Sequence, residues 1–184
     1  MSLSIHDWPL SYVAQLGQRP PSHIDLVVVH CTELPDLDMA REYAERRLYP
    51  SGTGNSGHYY IHRDGTIHRF VPDDRIAHHV VGLNDRSLGI ELVNRGRWPD
   101  WYHSQQQHMD EVYPPAQIDG LLALIGNLHN TLPSLRHIAG HQDLDTRKIP
   151  ASDDPRQRVH RKLDPGPLFP WPDVLRHCGL RREP

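Results

Sequence analysis

A single-domain α/β fold, a central mixed β-sheet flanked by helices, is what this 184-residue sequence predicts. Short β-branched apolar runs alternate with stretches of helical periodicity, the pattern of a sheet with helices on its faces. The length suits about one domain. Hydrophobic residues make up 37% of the chain and 17 residues are proline, which implies a modest core ringed by long, stiff loops.

The elements follow in order. Residues 24–30, IDLVVVH, form a short apolar run rich in β-branched residues and read as a buried strand. In the next stretch Asp36 is a suitable N-cap, and Ala40, Tyr43, Ala44, Arg47 and Leu48 recur at helical spacing until Pro50 closes the helix. SGTGNSG (51–57) is a flexible loop by composition. HYYIHRDGTIHRF (58–70) reads as a hairpin turning at Asp64-Gly65, and SLGIELVN (87–94) as a further strand. Residues 95–115 are polar, with two tryptophans, and read as a long surface loop. In 116–132, Ile118, Leu121, Leu122, Ile125 and Leu128 make one helical face. A short strand near Arg136–Ala139 leads into Gly140-His141, residues 142–170 read as charged, proline-rich loop, and Pro172 starts a last short helix.

Composition excludes several classes. The formal charge of −3 provides no dominant basic face, which argues against nucleic acid as a partner. Nothing approaches the roughly 18 apolar residues of a membrane span. The start, MSLSIHDWPL, has neither a basic n-region nor an apolar h-region, so a cytoplasmic location is expected, with the cell envelope as the alternative if a signal segment is missing from this sequence. Cys31 and Cys178 lie too far apart to form a short motif and make no disulfide framework. Oligomeric state is left open.

Fifteen histidines make metal binding the question. Strand alternation puts Leu26, Val28 and His30 on one face and Cys31 on the other, so His30 ends a buried strand either as a ligand in a cleft or as a hydrogen-bonded core residue. The same alternation argues against Cys31 as a nucleophile paired with His30. His141 follows a glycine at a strand end, where close backbone approach is allowed. Asp164 precedes a proline that biases its backbone towards extended geometry, as a ligand or as a turn residue. Glu91 is the one charge in an apolar strand; such a carboxylate is a general base with a raised pKa or half of an ion pair. Two histidines and an aspartate would leave an open position on a zinc ion, the default metal for mixed nitrogen and oxygen ligands. His58 and His62 alternate on one face of the hairpin and read as exposed strand residues, with substrate contact as the alternative, and Trp98, Trp101 and Tyr102 read as stacking groups or loop anchors. Arg161 is a candidate partner for a substrate carboxylate.

The blocks VVVHCTE, GHYYIHRDGTIHR, SLGIELVN, GHQD and RKLDPGPLFPW, in this order from about residue 23 to 176, resemble the zinc-dependent N-acetylmuramoyl-L-alanine amidases, whose fold is shared with peptidoglycan recognition proteins. The resemblance implies a zinc amidase domain over 23–178, with an extension at 1–22 and a tail at 179–184. It implies His30, His141 and Asp164 as the ligands of Zn2+, Glu91 and Lys162 as catalytic residues, and His79 as a substrate-lining residue, with His78 standing where the family often has tryptophan. Asn84 and Arg161 are read as further substrate contacts. The implied reaction is hydrolysis of the amide between N-acetylmuramic acid and L-alanine in peptidoglycan fragments or muropeptides. The alternative is a non-catalytic peptidoglycan-binding module on the same fold, or a metallohydrolase of another amide. The segment between His141 and Asp164 is longer than in compact members and offers rival candidates in Arg147, Lys148, Asp153, Asp154 and His160; Asp153 and Asp154 are expected to cap a turn.

Overall fold

A computed structural model describes residues 3–183. Nine strands and four α-helices are present among them, besides two short 3-10 turns at Val13–Gln15 and Pro21–His23: β1 Ile5–Asp7, β2 Leu26–Cys31, α1 Leu37–Glu45, β3 Tyr59–Ile61, β4 Ile67–Arg69, β5 Ser87–Leu92, α2 Pro115–Thr131, β6 His137–Gly140, α3 His141–Leu144, β7 Lys148–Pro150, β8 Arg158–His160, α4 Trp171–His177 and β9 Arg181–Arg182. Seven strands form one sheet in the order β1-β4-β3-β5-β2-β6-β9. The pairs β3–β5, β5–β2, β2–β6 and β6–β9 are parallel, and β3–β4 is the antiparallel hairpin. The mixed sheet with flanking helices is the architecture expected from the sequence. Residues beyond the expected 23–178 unit also join it, β1 along β4 and β9 along β6.

Every residue of β2 is buried, as its unbroken apolar run requires of a strand covered on both faces. Val27, Val29 and Cys31 pack towards the main core with Leu121, Leu124, Leu128 and Val174 of α2 and α4. Leu26 and Val28 face the other way, towards Val80 and Ala139. His30 continues that second face, so alternation separates it from Cys31 as expected.

Several local expectations need correction. Asp36 caps α1, its carboxylate accepting from Met39 N at 2.8 Å, but the helix ends at Glu45 rather than running to Pro50. Arg46 turns extended, Leu48 and Tyr49 both donate their backbone N–H to Thr53 O, and Leu48 is exposed. The 51–57 loop is packed rather than open: Thr53 and Ser56 are buried, and a Cβ on Gly54 would lie 1.8 Å from Arg46 O. Residues 95–115 carry neither helix nor strand before Pro115, yet Arg97, Met109 and Tyr113 are buried. The 142–170 segment is not all loop: α3 opens it and the antiparallel pair β7–β8 occupies its middle.

Arg97 ties these long connections together. Its Nε and Nη2 donate to the two Glu33 carboxylate oxygens at 2.6 and 2.8 Å, and Nη1 donates to His160 O at 2.9 Å. Both partners are almost wholly buried, so removing one strands the other's charge. Arg97→Ala is therefore expected to destabilise the fold by about 3–5 kcal/mol, read by denaturant unfolding. A loss within experimental error would show the pair to be dispensable.

Candidate metal centre and cleft

The carboxyl ends of parallel strands are where such sheets present their sites. His30 and Glu91 are register partners on β2 and β5, and Val29 pairs with Gly140, so His141 comes level with His30 as β6 passes into α3. Three adjacent strands thus deliver Glu91, His30 and His141 to one spot. Asp164 reaches it from the following connection. Its carbonyl accepts from Gln142 N at 2.9 Å, and Tyr113 Oη donates to the next carbonyl, Pro165 O, at 2.6 Å.

His30 Nδ1 lies 2.9 Å and His141 Nδ1 3.0 Å from the same atom, Asp164 Oδ2. All three residues are buried and offer ligand atoms within 4.8 Å of one another. The other carboxylate oxygen, Oδ1, has no hydrogen-bond partner. Two imidazole nitrogens converging on one buried carboxylate oxygen suit a cation, and the two-nitrogen, one-oxygen donor set suits zinc. Burial pushes the His30 pKa down to about 4, with the neighbouring His141 adding to the effect, so its ring stays neutral as a ligand must. Burial alone would raise Asp164, but His141, Lys162 and His30 hold it well below the usual carboxylate range.

Glu91 Oε1 stands 4.0 Å from His30 Nδ1. Burial, then the charge of Asp164, pushes its pKa up to about 8, while Lys162 opposes the rise. A Cβ on Gly57 would come within 2.7 Å of Glu91 Cγ, so glycine there is what lets the loop close over the carboxylate. Lys162 and Arg161 line the cleft of about 420 Å³ that runs past the centre, together with His79, Tyr49 and Asn84.

The structure brings His30, His141, Asp164, Glu91, Lys162, His79, Asn84 and Arg161 to one cleft. It also redefines two of them. Asn84 Oδ1 accepts from His79 N at 3.0 Å and Val80 N at 2.8 Å, holding the loop that carries His79. Arg161 donates to the Asp145 carboxylate, which also receives Arg147. His78 packs edge-on against Tyr49, with ring centroids 5.2 Å apart. The rival candidates point elsewhere: Asp153 accepts from Ser104, Asp154 from Arg156 in a turn, and Lys148 and His160 pair in the β7–β8 hairpin.

His58 is corrected outright. It is wholly buried, not an exposed strand residue; its Nδ1 accepts from Gly89 N at 3.0 Å and its Nε2 donates to Arg75 O at 3.0 Å. His62, by contrast, is half-buried beside Asp64. Burial, reinforced by the charge of Arg19, pushes the His58 pKa down to about 3. A depressed basic group stabilises fully above its ordinary value and loses that contribution as pH falls through the interval to its folded value. Thermal stability is therefore expected to drop between about pH 6.5 and pH 3, by about 1.4 kcal/mol per pH unit from this ring. Equal melting temperatures at about pH 7 and about pH 4 would contradict the assignment. The sequence signal for His58 was slight: a histidine opening a strand looks the same exposed or buried.

The N-acetylmuramoyl-L-alanine amidase family matches residues 18–167. The amidase AmiD of Escherichia coli K12 is 33% identical over 116 residues, covering 57% of this chain and 35% of that protein. The chain spans between 35% and 54% of the length of the curated relatives it matches at 31–33% identity. Among solved structures, the amidase LysC from Clostridium intestinale superposes with a TM-score of 0.69 at 20% identity, covering 97% of this chain and 99% of that one. AmiD from E. coli in complex with anhydro-N-acetylmuramic acid-L-Ala-D-gamma-Glu-L-Lys gives 0.66 at 26% identity, covering 90% of this chain and 61% of that one. With the match running through both the sheet and the cleft, the chain belongs to the N-acetylmuramoyl-L-alanine amidase family.

Proposed function

We propose that this protein hydrolyses the amide between N-acetylmuramic acid and L-alanine in muropeptides, with zinc held by His30, His141 and Asp164. The observation that carries the reading is the convergence of two histidine nitrogens on Asp164 Oδ2, with the raised carboxyl of Glu91 beside them. Zinc bound there would polarise the scissile carbonyl and acidify water. Glu91 would take the proton of the attacking water on its carboxylate and return it to the leaving L-alanine nitrogen. Lys162, on the cleft wall, would face the oxygen on which negative charge develops. Arg161 would offer its remaining donors to a stem-peptide carboxylate.

Support for the substrate class comes from family membership and from the muropeptide bound by the E. coli relative. The binding-module alternative leaves a buried general base unexplained. Among the described residues no helix is long and apolar enough to cross a membrane. The test is mass spectrometry of the protein incubated with N-acetylmuramoyl-tripeptide. Release of free tripeptide, stopped by a chelator and restored by zinc, is the expected result. Intact substrate with zinc bound would favour the binding module.

A further inference from the structure

Behind His30 lies a chain of contacts that the reaction itself does not use. His30 Nε2 is 3.0 Å from His79 Nδ1, His79 Nε2 is 3.2 Å from Ser87 Oγ, and Ser87 Oγ is 2.7 Å from Leu83 O. His79 lies flat against β5, where a Cβ on Gly89 would approach its ring to 2.7 Å, so glycine is required for the ring to sit there. Its backbone is fixed by Asn84. Ser87 is wholly buried in β5.

The directions of these bonds are set by what each atom can do. Leu83 O is a carbonyl and only accepts, so the single hydroxyl proton of Ser87 goes to it at the shortest contact in the chain. Ser87 Oγ is then an acceptor, and His79 Nε2 must carry the proton that reaches it. A neutral imidazole has one ring proton, so His79 Nδ1 presents a lone pair to His30 Nε2. His30 in turn keeps its proton on Nε2 and turns a bare Nδ1 towards Asp164 Oδ2, where two lone pairs 2.9 Å apart call for a cation.

We propose that Ser87 and His79 are positioning residues that fix the tautomer of His30, so that Nδ1 is left free for the metal. Metal-bound histidines are commonly oriented by an acceptor on their second nitrogen, a carboxylate, carbonyl or water. Here a second imidazole takes that place, and because an imidazole serves either as donor or acceptor, it needs the buried hydroxyl to hold it in the accepting form. His79 thus faces the metal ligand through one nitrogen and the sheet through the other, and its contribution to the cleft goes beyond lining it.

The inference rests on the metal reading above, and its test separates the two. Zinc affinity is measured by competition with a chromophoric chelator for the unsubstituted protein and for Ser87→Ala, His79→Leu and His79→Gln. Histidine tautomers in the zinc-loaded protein are read from long-range 1H–15N spectra of 15N-histidine-labelled samples. Ser87→Ala and His79→Leu are expected to bind zinc about 10–100-fold more weakly. His79→Gln, whose amide oxygen accepts the His30 N–H without help from Ser87, is expected to recover most of the loss. In the loaded protein His79 and His30 should each carry their proton on Nε2. Unchanged zinc affinity in Ser87→Ala, or a proton on His79 Nδ1, overturns the proposal while leaving the metal reading intact. Absence of zinc binding by the unsubstituted protein overturns both.

Discussion

Glu91→Gln is expected to lower turnover of a muropeptide by about 10²–10⁴-fold while leaving zinc content unchanged. The amide keeps the shape of the side chain and removes its ability to take a proton. The carboxyl is well matched to proton transfer. Burial and the charge of Asp164 push it up to about 8, within reach of the working pH of a general base. Glu91 is not one of the three converging ligands, so metal stoichiometry should survive the change. Near-unsubstituted turnover by Glu91→Gln would remove Glu91 from the mechanism. Loss of zinc together with activity would make it a ligand instead.

Asp164→Ala is expected to weaken zinc binding by more than about 100-fold, beyond the usual effect of losing an outer partner, and to abolish hydrolysis in a way that added zinc does not rescue at ordinary concentrations. Both histidine nitrogens aim at Asp164 Oδ2, so the substitution removes the sole anionic member of the converging set. Two neutral imidazoles would remain, with no charge to offset a dication in a buried site. Isothermal titration of the metal-free variant checks this. Tight binding there would shift the ligand role to Glu91, 4.0 Å from His30.

Part of this site was legible in the sequence from strand alternation, while the candidate ligands as a set, with Asp164 and Lys162, followed from the family resemblance of the sequence blocks. β2 announces itself by an unbroken β-branched run, and a histidine at its carboxyl end is placed by the strand's own alternation. Glu91 stands out as a charge in an apolar strand, and α2 and the Asp64-Gly65 hairpin have patterns that no competing element imitates. The parts that escaped are those whose burial depends on a distant partner. Arg97 looks like any loop arginine until Glu33 arrives from the other side of the chain. His58 is buried because Gly89 and Arg75 take its two nitrogens, a pairing that no local spacing encodes. The β7–β8 pair lies in a charged segment where Val159 is buried and Ile149 half-buried, too little apolar signal to mark strands. The early end of α1 follows from the packing of the 51–57 loop against Arg46 rather than from Pro50.

The strand order has a kinetic consequence. β2 is flanked by β5 and β6, and neither is its neighbour along the chain; most of the polypeptide separates β2 from β6. Loops must therefore close at considerable entropic cost before these central pairings contribute any stability, and chains with such topology fold slowly. On the ribosome, β2 must wait with its apolar faces uncovered until α2 and β6 have emerged. The candidate ligands bracket the same interval, His30 early and Asp164 late, so the centre can form only after the whole stretch between them has been made.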